Sequence, residues 1–503
     1  MADTKREIER KYESDDSGLP DLTGVAGVAA VVDKGVAQLD AVYHDTTDER
    51  LAAASITLRR RTGGSDAGWH LKFPVAPGVR DEIRAPLSDS VPPELAGLVR
   101  SRVREAELVP VVRLRSDRDV RDLLDADGRL LAEVSVDSVR AERLTGGGGS
   151  AQWTEIEVEL ADDGDPVFLD TVEKRLRKAG VQPSKSASKL ARALAETAPR
   201  GRKRRLPQRS AAEPVTAGDH VLAYVRAQRD AVVALDPAVR QDEDDSVHRM
   251  RVATRRTRSA LRSYGKVLDR AATDPIGAEL KWLAGELGVD RDREVLTERL
   301  TAALAEVPPT LVSGPVGSRL LTWANASRGG SRRRLIGVLD SERYVALLDA
   351  LDALINEPPL LKAAAGKPDK VIAKAVRKDF GRLSGLVTEA IELSPGQDRD
   401  VAVHEARKQA KRTRYAAEAA VLALGDPAKA LARSMKSLQG LLGDHQDSVM
   451  VRQTLREISA VAHAAGESSF TYGVLYGREE GRAAAVEAAL PGAWQAITGT
   501  TDV

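Results

Sequence analysis

The sequence predicts an α+β multidomain protein: a strand-built N-terminal half followed by an all-helical C-terminal half. Three observations carry this. The chain has 503 residues, more than one ordinary core needs. Up to about residue 195, apolar residues come in short alternating runs divided by turn residues, the period-two signature of half-buried strands. From Ala217 onward the pattern is helical almost throughout, and it contains an internal repeat.

The strand signal is clearest in Glu-Ile-Glu-Arg-Lys-Tyr-Glu at 7–13 and Trp-Thr-Glu-Ile-Glu-Val-Glu-Leu at 153–160. Gly146–Gly149 with Ser150 reads as a flexible hairpin tip before the second run. Phe168 to Lys178 reads as a helix stopped by Gly180 and Pro183. The basic stretch Pro-Arg-Gly-Arg-Lys-Arg-Arg-Leu-Pro at 199–207 is bounded by prolines and reads as a linker. The expected organisation is a first domain at 1–198, a linker at 199–212 and a helical domain at 213–503. In that last segment His248, Arg251, Arg255, Arg256 and Arg258 match His404, Arg407, Lys411, Arg412 and Arg414. Leu287-Gly288-x-x-x-Asp292 matches Leu442-Gly443-x-x-x-Asp447 at nearly the same offset. Two motifs repeating together argue for duplication into two similar helical halves.

Composition narrows the function classes. Hydrophobic residues make up 42% and charged residues 30%, which is globular. With no cysteine there is no disulfide framework, thiolate zinc site or cysteine nucleophile, and a reducing compartment fits. No apolar run follows the charged N-terminus, and no stretch approaches the 18 apolar residues of a membrane span. A cytoplasmic protein without signal peptide or membrane segment is expected. The net charge of +1 hides a split. Residues 1–200 carry 30 Lys+Arg against 36 Asp+Glu, and residues 201–503 carry 46 against 39. An acidic half that is also rich in arginine suggests metal plus anion, and a basic half suggests a polyanion partner.

Residues i, i+2 and i+4 of a strand share a face. That groups Glu7, Glu9 and Lys11; Glu155, Glu157 and Glu159; Arg59 and Arg61; and Arg80, Glu82 and Arg84. Neighbouring carboxylates repel and need a cation. Mg²⁺ takes carboxylate oxygens while leaving positions for phosphate, and arginine forks suit phosphate geometry. A solvated, salt-bridged sheet face gives the same periodicity, so one pair of alternating glutamates means little.

The ordered set says more. Glu7-x-Glu9-x-Lys11 is followed by Tyr43-x-Asp45-Thr46, Leu58-Arg59-x-Arg61, Lys72, Arg80-x-Glu82, Arg118, Asp137, Glu155-x-Glu157 and Ser184-Lys185-Ser186-x-x-Lys189. Over about residues 1–195 this resembles the CYTH superfamily, the triphosphate tunnel metalloenzymes. The resemblance implies an eight-stranded antiparallel β tunnel. It implies metal held by Glu7, Glu9, Glu155 and Glu157, with Glu82 and Asp137 assisting. Lys11, Arg59, Arg61, Lys72, Arg84, Arg118, Lys185 and Lys189 would hold phosphates, and the first four would be the catalytic cations. Arg84 stands where many relatives have an acid. Arg113 and Arg115 compete with Arg118 for one role, and motif position favours Arg118. Glu133 shares a strand face with Asp137, and Glu159 falls toward the tunnel mouth. The implied activity is hydrolysis of inorganic triphosphate or polyphosphate ends with Mg²⁺ or Mn²⁺. Adenylate cyclases and thiamine triphosphatases among the relatives present the same phosphates, and a slow polyphosphate-binding adaptor is the non-enzymatic alternative. No G-x-x-x-x-G-K-[ST] P-loop is present.

On a helical wheel, His248, Arg251, Arg255, Arg258 and Arg262 fall within an arc of about 80°. Ala253, Ala260 and Tyr264 lie opposite. Two such stripes, the second on His404, Arg407, Lys411 and Arg414, would make a positive groove for a linear polyanion. A merely solvated face is the simpler account of either stripe alone. The motifs V-H-x-x-R-V-A-T-R-R-x-R at 247–258, Leu287-Gly288-x-x-Arg291-Asp292, His404-x-x-Arg407-Lys408-x-x-Lys411-x-x-Arg414-Tyr415 and Gln439-x-x-Leu442-Gly443-Asp444 resemble the CHAD domain. The resemblance implies two four-helix halves and inorganic polyphosphate as ligand, held by the two stripes with Arg256, Arg291, Lys408 and Arg412, and association with polyphosphate granules. Only the first copy keeps Arg291; Asp292 and Asp447 are expected to orient basic side chains or cap helices. Few aromatics are present to stack bases, so nucleic acid is the weaker partner.

Overall fold

The computed structural model describes residues 3–14, 18–199, 213–325 and 328–500, with the side chains of 3, 290–292, 328–331 and 500 excepted. From residue 200 on, the basic stretch read as a linker lies outside the described residues, and so does the Arg291 side chain. The chain divides into two compact units, one on each side of residue 210.

The first unit is an inside-out barrel. Its strands are β1 (Asp3–Ser14), β2 (Ala30–Asp45), β3 (Thr57–Thr62), β4 (Gly68–Ala76), β5 (Val79–Ala85), β6 (Val109–Leu124), β7 (Leu130–Arg143) and β8 (Ser150–Leu160). They pair antiparallel in the order β5-β4-β3-β2-β6-β7-β8-β1. β1 closes the ring by pairing β5 through residues 3–8 and β8 through residues 9–14. The expected eight-stranded antiparallel closure is met, and a two-residue strand β9 (Gln182–Pro183) adds to β1. Closure removes every long free edge.

Alternation sends charge inward and apolar groups outward. The outer face of β8 supplies Ile156 and Val158, which pack with Val134 and Tyr12 under Leu169, Val172 and Leu176 of helix α3 (Val167–Lys178). On the far side, outward Leu58, Trp69, Leu71 and Ile83 pack under Leu95, Leu98 and Val99 of α2 (Pro93–Val103), beside the short α1 (Arg50–Ala53). Each fully buried leucine contributes about 2 kcal/mol, so the amphipathic helices hold the barrel from outside and leave its interior free for charge. One end is plugged. Helix α4 (Lys189–Glu196) packs Leu190, Ala193 and Leu194 against inward Tyr43, Leu114, Val139 and Trp153. The Ser188 hydroxyl caps α4 by accepting from the Ala191 amide at 3.1 Å.

The second unit is all helix: α5 (Ala217–Gln241), α6 (Ser246–Ser263), α7 (Arg270–Glu286), α8 (Val289–Ala305), α9 (Val316–Asn325), α10 (Arg328–Leu339), α11 (Glu342–Asn356), α12 (Pro368–Glu392), α13 (Gln397–Leu424), α14 (Asp426–Ala464) and α15 (Phe470–Thr500). The duplicated basic motif lies on α6 and α13, which pack against each other within one shared core. Each half begins with a 25-residue helix, α5 or α12. The Leu-Gly motif breaks α7 from α8 in the first half, whereas α14 runs through it for 39 residues. The glycines serve the basic motifs: a Cβ on Gly288 would sit 2.5 Å from the Arg251 guanidinium, and one on Gly443 would sit 3.3 Å from that of Arg407.

Candidate active site

The barrel interior is a cavity of about 540 Å³. Glu7, Glu9, Lys11, Arg59, Arg61, Lys72, Glu82, Arg84, Arg118, Glu157 and Lys189 line it. Exposure along β8 shows which end is open: Glu159 is 32% exposed, Glu157 10% and Glu155 4%. The mouth lies at the Glu159 end and the floor is α4.

Carboxylates and cations alternate around the wall. Lys11 lies 2.9 Å from Glu9 and also pairs with Glu157, its cross-strand neighbour. Lys72 pairs with Glu7 and lies 3.3 Å from Glu82. Arg84 pairs with Glu82 and lies 3.8 Å from Glu7. Arg118 makes a two-pronged contact with Asp137 at 2.8 Å and donates to Glu157 at 2.8 Å. At the floor Lys189 sits 2.9, 2.8 and 2.5 Å from Asp137, Glu155 and Glu157.

Those contacts set the charge states. Burial, reinforced by Glu82 and Glu159 against the pull of Lys72, pushes Glu7 up to about 7. Burial works the same way on Glu157, but Lys11, Lys189 and Arg118 outweigh it and hold the group well below the carboxylate range. Glu82 is likewise held low, with His70, Lys72 and Arg59 overcoming burial. Burial and the charges of Arg59 and Arg118 press Arg61 downward, and the Asp66 carboxylate it pairs with opposes them.

The donor set fits a hard divalent cation. Asp137, Glu155 and Glu157 each offer an oxygen within 4.8 Å of the others, all three buried. The Lys189 ammonium already holds a cation's place among them. Glu7, Glu9 and Glu82 offer further oxygens nearer the mouth; among the described residues the charges facing them are ammonium and guanidinium groups, and the His70 ring, brought down to about 4 by burial, meets Glu82 as a neutral hydrogen-bond partner.

Most predicted tunnel residues converge here; Lys185 does not, being exposed and outside the cavity lining. Asp137 and Glu155 stand behind Lys189 and not on the open lining. On β6, Arg118 faces inward, while Arg113 and Arg115 face outward against Asp40, with Arg113 hydrogen-bonded to it at 2.9 Å and Arg115 lying 3.6 Å away. Sequence reasoning missed several participants. Arg80 is buried 3.9 Å from Glu9 and donates to the Ala187 carbonyl at 2.7 Å; its place two residues before Glu82 was the signal. His70 has Nδ1 2.8 Å from Glu82 and Nε2 2.9 Å from the Asp66 carbonyl. Asp66 pairs with Arg61. Asp45 is structural: its buried carboxylate accepts from the amides of Thr46, Leu51 and Ala52 and anchors α1.

In the helical unit the basic residues divide into two groups. Arg251 is buried and donates to the Ala284 carbonyl at 3.3 Å. Arg258 and Arg262 lie one turn apart, and burial together with the Arg262 charge holds Arg258 below its usual value. Among the described residues, Arg256, Arg412 and Arg414, all expected to bind polyphosphate, have internal carboxylate partners, and the helix wheel explains the first two. Arg256 and Arg412 sit off the stripe, toward neighbouring helices; Arg256 pairs with Glu418 at 2.8 Å and Arg412 with Asp379 at 3.1 Å. Arg414 also pairs with Glu418 at 2.8 Å. Lys408 pairs with exposed Glu405, His404 Nδ1 lies 2.5 Å from Gln446, and Asp447 lies 3.5 Å from Arg299, orienting a basic side chain as expected.

A CYTH-domain family model matches residues 5–194, and a CHAD-domain family model matches residues 223–456. Two uncharacterized proteins of Mycobacterium tuberculosis, MT2285 of strain CDC 1551 and Rv2226 of strain H37Rv, are each 40% identical over 489 residues, covering 94% of this chain and 92% of theirs. Among solved structures, PptA from Streptomyces chartreusis aligns with a TM-score of 0.48 at 23% identity, over 56% of this chain and 99% of that one. The CHAD domain from the plant Ricinus communis aligns at 0.43 and 22% identity, over 57% and 93%. CYTH domains hydrolyse or cyclise phosphate compounds with divalent metal, and CHAD domains are associated with polyphosphate. No helix among the described residues is long and apolar enough to cross a membrane. The chain therefore belongs to the proteins that join an N-terminal CYTH domain to a C-terminal CHAD domain.

Proposed function

We propose that the barrel is a divalent-metal-dependent triphosphatase acting on inorganic triphosphate or polyphosphate ends, and that the helical unit binds polyphosphate. The observation that carries the first half is the blind-ended cavity in which Lys11, Lys72, Arg84, Arg118 and Lys189 are each held by strand carboxylates. A metal bound to those carboxylates would neutralise phosphate charge and lower the pKa of an attacking water. The chain's part is positioning. Glu7, Glu9, Glu82, Asp137, Glu155 and Glu157 would hold the metal, freeing their cations to turn toward phosphate oxygens. Entering from the mouth, the phosphate chain meets Arg84 and Lys72 first. Its leading end reaches Lys11 and Arg118, where the floor stops it. Among the described residues the wall offers one aromatic ring, Tyr43, whose hydroxyl is within 3.4 Å of Arg59. That favours a bare phosphate chain over a nucleotide or a thiamine ester.

For the helical unit the carrying observation is the pair Arg258 and Arg262, adjacent on α6 with no carboxylate partner among the described residues. The test offers tripolyphosphate, long polyphosphate, ATP and thiamine triphosphate with Mg²⁺ or Mn²⁺, and measures phosphate, pyrophosphate and cyclic AMP. Phosphate release from tripolyphosphate, lost in EDTA and reduced about 100-fold in Glu9→Gln and Glu157→Gln, is expected. Undiminished hydrolysis in EDTA or in both variants overturns the assignment.

A further inference from the structure

The tunnel cations differ in what holds them. Lys11, Lys72, Arg84, Arg118 and Lys189 pair with carboxylates on the barrel's own strands. Arg61 pairs with Asp66, which lies on the five-residue β3–β4 hairpin loop between Thr62 and Gly68. Its guanidinium is buried and its Nε has no partner. A metal arriving at the strand carboxylates frees the other cations for phosphate, but it leaves the ion pair of Arg61 in place, because Asp66 is no part of that carboxylate set and Glu82 acts on Arg61 only through its charge.

The loop is built to turn inward. Gly63 and Gly64 both have left-handed backbones, at φ 81° and 70°. A Cβ on Gly63 would sit 2.0 Å from the Gln38 carbonyl oxygen, so this close approach to β2 requires glycine. The result places Gly64, Ser65 and Asp66 on the cavity wall. Strand order puts the loop at the mouth: β3 ends and β4 begins at the edge where β1 begins and β5 ends. Beyond the approach of Gly63 to Gln38, the Asp66 carbonyl lies 2.9 Å from His70 Nε2. The Asp66 side chain is 28% exposed, against 1% for Glu82 and 3% for Glu7.

We propose that Asp66 is a removable counter-charge that sets which ligands obtain Arg61. It holds the guanidinium until a phosphate group replaces the carboxylate, and the loop then swings off the mouth. This rests on the reading of the tunnel as a triphosphate site and adds to it how occupancy is sensed. A phosphate with two negative oxygens outcompetes one carboxylate for a guanidinium, whereas a weaker anion does not. Asp66 therefore subtracts from the affinity of every ligand and discriminates against those that offer little charge at Arg61. It acts through Arg61 and touches no reacting atom.

The sign of the effect separates this from a structural role. A merely structural Asp66 weakens binding when removed, whereas a competing counter-charge strengthens it. The probe is imidotriphosphate, a hydrolysis-resistant triphosphate analogue, titrated calorimetrically with Mg²⁺ into the full chain. Asp66→Asn is expected to bind about tenfold tighter than the parent, Arg61→Ala more weakly, and Asp66→Asn in the Arg61→Ala background no differently from Arg61→Ala alone. The chain has no cysteine, so Ser65→Cys gives a unique spin-label site, and imidotriphosphate is expected to mobilise the label. If Asp66→Asn binds no tighter while Arg61→Ala still binds more weakly, the counter-charge falls and the tunnel site stands. If the parent does not bind imidotriphosphate, both fall. Should Asp66→Asn fail to fold, an unmoved label in the otherwise native chain is enough to overturn the proposal.

Discussion

Single carboxylates in this barrel owe their character to a few ångströms of surroundings. Glu7 and Glu82 both contact Lys72, yet Glu7 titrates near 7 and Glu82 is held far below. The difference is that His70 and Arg59 also face Glu82, whereas Glu7 faces the negative charges of Glu82 and Glu159. The sign of the consequence follows from which form is favoured. With its folded value raised, Glu7 binds more proton folded than unfolded between pH 4.5 and 7, so its contribution to the metal-free protein's stability is present at low pH and lost as pH rises through 7. A metal needs the carboxylate, so metal binding must expel that proton. Mg²⁺ or Mn²⁺ affinity is expected to climb with pH, by up to about tenfold per unit below pH 7, and to level off above it. Calorimetry in buffers of different ionisation enthalpy should show close to one proton released per metal at pH 6 and almost none at pH 8.5, with the difference absent in Glu7→Gln. Release that does not vary with pH would contradict Glu7 as a ligand.

Among the elements, those with a period were legible and those defined by a distant partner were not. Glu7-x-Glu9-x-Lys11 and Glu155-x-Glu157-x-Glu159 announce strands with one charged face, and both faces turn into the cavity. The basic stripe on α6 announces itself likewise at period 3.6. Nothing local marks α4 as a floor, because its eight residues read as any short amphipathic helix until Tyr43, Leu114 and Trp153 arrive from three other strands. Nothing local marks Arg412 as internal either; its partner Asp379 lies on α12. That distinction is measurable. Arg412→Ala leaves Asp379, 4% exposed, with one hydroxyl donor from Ser263. The loss should be about 2 kcal/mol, which lowers Tm by about 5 °C in a unit of this size, with polyphosphate affinity changed little. Arg258→Ala with Arg262→Ala should do the reverse, weakening polyphosphate binding several-fold with Tm nearly unchanged. Thermal melts and filter binding on the two variants suffice, and equal behaviour in both assays would erase the division between stripe and framework.

At the scale of the whole chain, charge and architecture divide at the same place. The unit before residue 210 keeps its cations and carboxylates together inside one closed barrel, and the unit after it has its own core running from α5 to α15. Among the described residues, the clusters under α2, α3 and α4 are made of barrel-unit residues, and those among α5 to α15 of helical-unit residues. Each unit therefore buries its own apolar surface, the condition for folding alone. Separation within 199–212 should yield two soluble fragments. Residues 1–198 contain every proposed metal and triphosphate ligand and are expected to hydrolyse tripolyphosphate at close to the parent rate. Residues 213–503 are expected to bind long-chain polyphosphate and hydrolyse nothing. Their binding should fall steeply with salt, because each phosphate contact releases condensed counterion, on the order of 0.9 in the log–log slope per contact in DNA; polyphosphate is more flexible, so the direction transfers better than the value. Replacing Arg251, Arg255, Arg407 and Lys411 together with alanine should flatten that slope, whereas replacing four lysines or arginines elsewhere on the helical surface should not. If both sets flatten it alike, polyphosphate is reading net charge and the two stripes form no groove. If the 1–198 fragment folds but is inactive, the helical unit contributes to turnover in the barrel and the division of labour proposed here is wrong.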